Sequence, residues 1–89
     1  MPRYISLIRF RKQPTPEMVK QNLEMIEKDK QMGVKVEQLY WTLGRYDGVV
    51  IYDAPDEKKA IKWALERAEN VAAETLVAIP LEEVKKLVE

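Results

Sequence analysis

Apolar side chains alternate from Tyr4 to Phe10, with Ile5 and Leu7 on one side and Tyr4, Ile8 and Phe10 on the other. This predicts a first strand that is apolar on both faces. Arg11-Lys12-Gln13-Pro14 breaks it, and Thr15 before Pro16 reads as an N-cap followed by proline at the first helical position. In the helix that follows, Val19, Leu23 and Ile26 form the main stripe. Met18, Met25 and Met32 lie on one flank, and Lys20, Glu24, Glu27, Lys28 and Lys30 supply the wet side. Gly33 ends this helix as a C′ residue. Strand alternation resumes from Val34 to Leu43, setting Val36, Gln38, Tyr40 and Thr42 against Leu39, Trp41 and Leu43.

The densest β signal spans Leu39 to Asp53, where β-branched and aromatic residues flank Gly44-Arg45-Tyr46-Asp47-Gly48. The pattern is a hairpin, with Gly44 and Gly48 free to take positive φ and Asp47-Gly48 suited to a tight turn. A third strand runs from Val49 to Ala54 and stops at Pro55, and Asp56 caps a second helix. That helix carries a narrow stripe of Ala60, Ile61, Ala64, Leu65 and Ala68, with Trp63 off it. Val71 to Ile79 is the fourth strand. Beyond Pro80, Leu81, Val84, Leu87 and Val88 fall at helical spacing, with Glu82 and Glu83 in the first turn.

The order is βαββαβ with one added helix, and two right-handed crossovers place the strands 4-1-3-2. The expected class is α+β, a ferredoxin-like sandwich forming a single domain over residues 1–89. Two helices cover one sheet face, yet every strand is apolar on both. A second copy packed sheet against sheet is therefore expected to cover the other.

Composition narrows the chemistry. There is no cysteine and no histidine, which removes disulfides, thiolate zinc sites, cysteine nucleophiles and the usual neutral-pH base. Fifteen basic residues balance fifteen acidic ones, so no long-range field favours polyanions. Arg3, Arg9, Arg11 and Lys12 are candidates for a local basic spot, but the third strand lacks the basic–aromatic pattern of RNA-binding sheets. No apolar run approaches the ~20 residues of a membrane span, and Met-Pro-Arg-Tyr-Ile-Ser shows no leader pattern. A cytoplasmic setting is expected, with no nucleic acid, membrane, cofactor or metal as partner.

Leu43-Gly44-Arg45-Tyr46-Asp47, preceded by Tyr40-Trp41-Thr42 and followed by Val49-Val50-Ile51 and Ala54-Pro55-Asp56, resembles the signature of the GYD-domain family. Tyr4-Ile5, Asn70-Val71 and Glu74-Thr75-Leu76 extend the likeness over nearly the whole chain. The resemblance implies a ferredoxin-like protomer of the dimeric α/β-barrel kind, in a family whose biochemical role is largely unassigned. The hairpin is also similar to the ligand-sensing domain of Lrp/AsnC-type regulators, here without a preceding helix-turn-helix. Barrel monooxygenases are related by shape, but the histidine that many of them employ has no counterpart.

Candidate ligand-binding residues are Tyr40, Thr42, Tyr46 and Asp47, which offer hydroxyls and a carboxylate at the end of the sheet. A structural reading stands beside this one: Gly44 permits the turn, Asp47 bonds amides within it, and Tyr46 packs over a strand end. Asp53 and Glu74 are catalytic candidates, expected to show raised pKa values and base character if buried. Tyr52 is expected either to bury its ring with the hydroxyl satisfied or to face solvent. Trp41 is expected in the core or at the dimer seam, and Trp63 at a neighbouring subunit or half-exposed. The functional expectation is a homodimer, or higher even assembly, that binds a small organic ligand between subunits. The alternatives are a cofactor-independent enzyme, monooxygenase- or isomerase-like, and a stand-alone amino-acid-sensing module.

Overall fold

Local caps set the ends of the helices. In the computed structural model, which describes residues 1–89, Thr15 Oγ1 accepts the Met18 N–H at 3.2 Å and Pro16 opens α1 (Pro16–Gln31). Asp56 Oδ1 accepts the Lys59 N–H at 2.9 Å and starts α2 (Glu57–Leu65). Gly33, at φ 92°, closes α1 as expected of a C′ glycine.

The strands are β1 (Arg3–Phe10), β2 (Lys35–Trp41), β3 (Gly48–Asp53) and β4 (Val71–Ala78), and a third helix, α3 (Leu81–Leu87), follows them. They form one antiparallel sheet in the order β2-β3-β1-β4, the order that the two right-handed crossovers require. The architecture is ferredoxin-like with an added C-terminal helix. No helix is long and apolar enough to cross a membrane.

Alternation decides which face meets the helices. Tyr4, Ser6 and Ile8 of β1 and Val50 and Tyr52 of β3 are buried beneath them, while Ile5, Leu7, Val49 and Ile51 are half-buried on the opposite, open face. At the centre Tyr52 stacks on Tyr4 and on Trp63, with ring centroids 5.6 and 4.6 Å away. The Tyr52 hydroxyl is 3.5 Å from Ser6 Oγ, which pairs with Thr75 Oγ1 at 2.8 Å.

The side chains correct the expected faces of both helices and of β2, and the expected conformation of Gly48. Trp63 is 3% exposed, whereas Ile61 and Leu65 are 59% and 68% exposed, so α2 turns Ala60, Trp63, Ala64 and Arg67 inward. Ile61 and Leu65 sit one residue, roughly 100°, further round the helix. The indole seats between Tyr52 and the Arg67 guanidinium, whose central carbon is 4.0 Å from the ring centroid.

Helix α1 is rotated in the same sense. Val19 and Leu23 are exposed, Met18, Asn22, Met25 and Ile26 are half-buried, and Asp29 is buried. The cause is an ion pair: Arg67 reaches Asp29 Oδ2 at 2.9 Å and Asn22 Oδ1 at 3.1 Å, so two polar residues of α1 must face α2.

Strand β2 contains a bulge. Val36 pairs with Tyr52 but Gln38 pairs with Ile51, leaving Glu37 as the extra residue. Val36 consequently shares the helix-covered face with Leu39 and Trp41, and not the open face with Gln38 and Tyr40. Trp41 therefore lies outside the core of the protomer: it is largely exposed on the helix side, edge-on to Phe10 at 5.3 Å.

Gly44 takes positive φ, at 104°, but Gly48 does not. At Gly48 a Cβ would lie 3.2 Å from the Tyr40 carbonyl oxygen, so close approach of β2 is what glycine permits there.

Candidate functional site

Because residues directly opposite in a ladder share a face, the register reads off the open side of the sheet row by row. One row runs Tyr40, Val49, Leu7, Glu74; the next Gln38, Ile51, Ile5, Leu76; the third Lys35, Asp53, Arg3, Ala78. The first two rows are apolar in the middle and polar at one or both ends. The third is charged.

The β2–β3 loop closes over the end of the first row. Thr42 Oγ1 donates to the Tyr46 carbonyl at 2.6 Å and the Thr42 N–H to that of Asp47 at 2.9 Å, pinning the loop across its base. The Asp47 N–H donates to the Ile8 carbonyl at 2.7 Å, and Asp47 Oδ2 accepts the Phe10 N–H at 2.8 Å. The carboxylate thus caps β1 beyond its last pairing with β3, and not the amides within its own turn as the structural reading expects. The Tyr46 hydroxyl donates to Glu74 Oε2 at 2.8 Å. That bond, reinforced by desolvation and by the carboxylate's charge, raises the phenol above its ordinary pKa.

Of the four candidate ligand-binding residues, Tyr40 stands on the open face with its ring half-exposed, and Tyr46 reaches that face through Glu74. The Thr42 hydroxyl and the Asp47 carboxylate are engaged by backbone. The two catalytic candidates separate. Glu74 is exposed and joined to Tyr46, whereas Asp53 lies two rows away. Arg3 holds Asp53 in two bonds, Nε to Oδ1 at 2.8 Å and an Nη to Oδ2 at 3.1 Å. The guanidinium pulls the Asp53 carboxyl below its usual range, opposite to the rise expected of a buried base. At physiological pH Asp53 is an ionised, paired carboxylate.

Sequence spacing gives no sign of the Arg3–Asp53 contact, which links residues 50 apart. The available signal is the alternation of Arg3 with Ile5 and Leu7, which puts it on the open face. The expected basic spot does not gather, since Arg3 is paired at the far end of β1 from Arg11, and Lys12 pairs with Glu69 at 3.6 Å. Outside the candidate set, Asn22, Trp63 and Arg67 surround a second concavity, under α1 on the other side of the sheet.

Compared with curated proteins and with solved structures, the chain finds no match in either. The model of the GYD domain matches residues 4–88, from the second residue of β1 to just beyond α3. The hairpin that pins β2 to β3 and delivers Tyr46 to Glu74 lies within this span, and the chain belongs to the GYD domain family.

Proposed function

We propose that this protein pairs with a second copy through the open faces of the two sheets and binds a small organic molecule in the space between them. The supporting observation is the open face itself. Its central side chains, Ile5, Leu7, Val49 and Ile51, are apolar and only half-buried in the protomer. A contiguous apolar surface of this kind is what a partner normally covers, and a two-fold pairing lets one patch complete another identical to it. Tyr40 and the Tyr46–Glu74 pair then supply polar groups from both copies around an apolar interior, the usual composition of a small-molecule site.

A catalytic reading draws on one observation, the Tyr46–Glu74 hydrogen bond, through which a proton can pass between phenol and carboxylate without cofactor or metal. The same proposal leaves Asp53 no part in proton transfer.

Native mass spectrometry of wild-type protein and a Leu7→Lys variant tests the assembly. The expected result is a dimer, or a larger even assembly, that the variant converts to monomer. Wild-type protein that stays monomeric at micromolar concentration overturns the proposal. Thermal-shift screening then separates the ligand classes: amino acids that raise the midpoint indicate a sensing module, and partly apolar aromatic compounds that do so indicate an enzyme-like site. Either response must fall in Tyr46→Phe if the site is placed correctly.

A further inference from the structure

The two edges of the sheet are built differently. At one side β2 is defended: a bulge interrupts its pairing at Glu37, and Lys35 and Glu37 place charges along it. At the other side β4 has no such device. It pairs with β1 without a register shift, contains no lysine, arginine, proline or glycine, and carries Glu74 as its one charged residue. Ala73, Thr75 and Val77 are exposed along it.

One hydrogen bond shows which backbone groups face outward. The Arg11 N–H donates to the Asn70 carbonyl at 2.8 Å, one step beyond the pairing of Phe10 with Val71. Bonded and non-bonded pairs alternate along an antiparallel ladder. Ala72, Glu74 and Leu76 therefore bond to β1, while Val71, Ala73, Thr75 and Val77 turn their N–H and C=O groups to the free edge. Val71 is already engaged, its N–H by the Arg67 carbonyl at 3.0 Å and its own carbonyl by Arg11 Nε at 3.3 Å. The outward groups of Ala73, Thr75 and Val77 have no partner within the chain. Such a row is a template for another strand.

We infer that β4 pairs antiparallel with β4 of a second copy, Thr75 opposite its own counterpart, joining two four-stranded sheets into one. A two-fold axis normal to the sheet maps the unpartnered row onto itself only in this register. Ala73 meets Val77 of the second copy, Thr75 meets Thr75, and each pair exchanges two hydrogen bonds. Glu74 falls opposite Leu76 of the second copy. A register centred on Glu74 would set two carboxylates directly opposite, which is destabilising, and would pair Val77 with the occupied Val71.

The edge is a different surface from the open face, so this pairing stands or falls independently of the proposed face-to-face assembly. A single ladder buries little side-chain surface, and its expected Kd is about 0.1 mM, which leaves the edge unpaired at micromolar concentration.

Hydrogen exchange of 15N-labelled protein, wild type and Leu7→Lys, tests the contact. Between about 20 μM and about 1 mM, exchange is expected to slow about fourfold at the Ala73, Thr75 and Val77 amides and to stay unchanged at Ala72, Glu74 and Leu76. Leu7→Lys acts on the open face and should leave this response intact. The chain has no cysteine, so Thr75→Cys carries a single thiol. The two copies of residue 75 would lie about 5.5 Å apart at Cα, within disulfide reach, but those of residue 73 about 14 Å apart. Oxidation with copper phenanthroline at about 1 mM should therefore link Thr75→Cys and not Ala73→Cys. Amides of Ala73, Thr75 and Val77 that exchange alike at both concentrations overturn the inference: fast, they mark a bare edge, and slow, an edge covered by some other strand. A disulfide in Ala73→Cys without one in Thr75→Cys also overturns it. Should Thr75→Cys lose its fold with the Ser6 contact, exchange in the wild-type protein decides alone.

Discussion

The hydroxyl of Tyr46 and the carboxylate of Glu74 meet at 2.8 Å, joining the tip of the β2–β3 loop to the edge strand β4 across 28 residues of sequence. Between the loop and β4 lies Leu7 of β1, so the bond spans the sheet and does not follow it.

The Tyr46 phenol titrates above its ordinary value because its proton is held in the hydrogen bond to Glu74, with desolvation and the carboxylate's charge adding to the rise. In Glu74→Gln its titration, followed by ultraviolet absorbance, is expected to fall back toward the ordinary phenol range. The contact stabilises the fold below the ordinary tyrosine pKa and is lost as pH rises through the raised one. A Tyr46 titration unchanged in Glu74→Gln would show that the hydrogen bond does not form in solution.

Two carboxyls respond to acid with opposite signs. Asp53 is held low by Arg3, so its stabilisation is present above the usual carboxylate range and disappears as pH falls through the lowered value. Asp53→Asn should lower the melting temperature at neutral pH and match wild type in strong acid.

Glu66 is pushed upward, first by desolvation and then by the charge of Asp29. Its ionisation disfavours folding, so stability is lost as pH rises through the raised value. Glu66→Gln should therefore stabilise the fold at neutral pH, by no more than about 1 kcal/mol in denaturant unfolding since the group is partly solvated, and have no effect in strong acid.

The buried ion pair between Asp29 and Arg67 sets the rotation of α1 against α2. Removing one partner, as in Arg67→Met, leaves a buried unpaired charge and should cost about 3–5 kcal/mol in denaturant unfolding. The double variant Asp29→Leu with Arg67→Met should recover most of that loss. If the single and double variants are equally unstable, the cost lies in lost packing on Trp63 and not in the charge.

Trp63→Ala is expected to cost about 3–5 kcal/mol, because it empties the seat between Tyr52 and Arg67. Leu65→Ala, on the exposed side of α2, should change stability by about 0.5 kcal/mol or less. Urea midpoints distinguish the inward face of α2 from its apolar outer one.

The Thr15 and Asp56 caps, the glycine at the end of α1 and the hairpin were legible in the sequence because each depends on residues a few positions apart, and the strand order followed from the order of elements and the hand of the two crossovers. The rotation of the helices was not legible. Apolar count favours Ile61 and Leu65, but α2 is turned by Arg67, whose partner Asp29 lies 38 residues earlier. The same holds at the candidate site: Tyr46, Asp47 and Glu74 could be picked by type, yet their roles follow from Phe10, from Leu7 and from each other through sheet register. Asp53 was open to misreading for the same reason, since Arg3, which holds its carboxyl low, is its direct cross-strand partner in the β1–β3 ladder yet lies 50 residues away in the sequence.

The extra residue at Glu37 resets the parity of β2. Neighbours Tyr40 and Trp41 are thereby posted to opposite sides of an edge strand, the phenol to the open face and the indole to the cavity under α1. A slip of one residue would exchange them and put every other side chain beyond the bulge on the wrong side. One peptide unit is the wall between two differently furnished compartments, and the count of residues before it determines the chemistry of both.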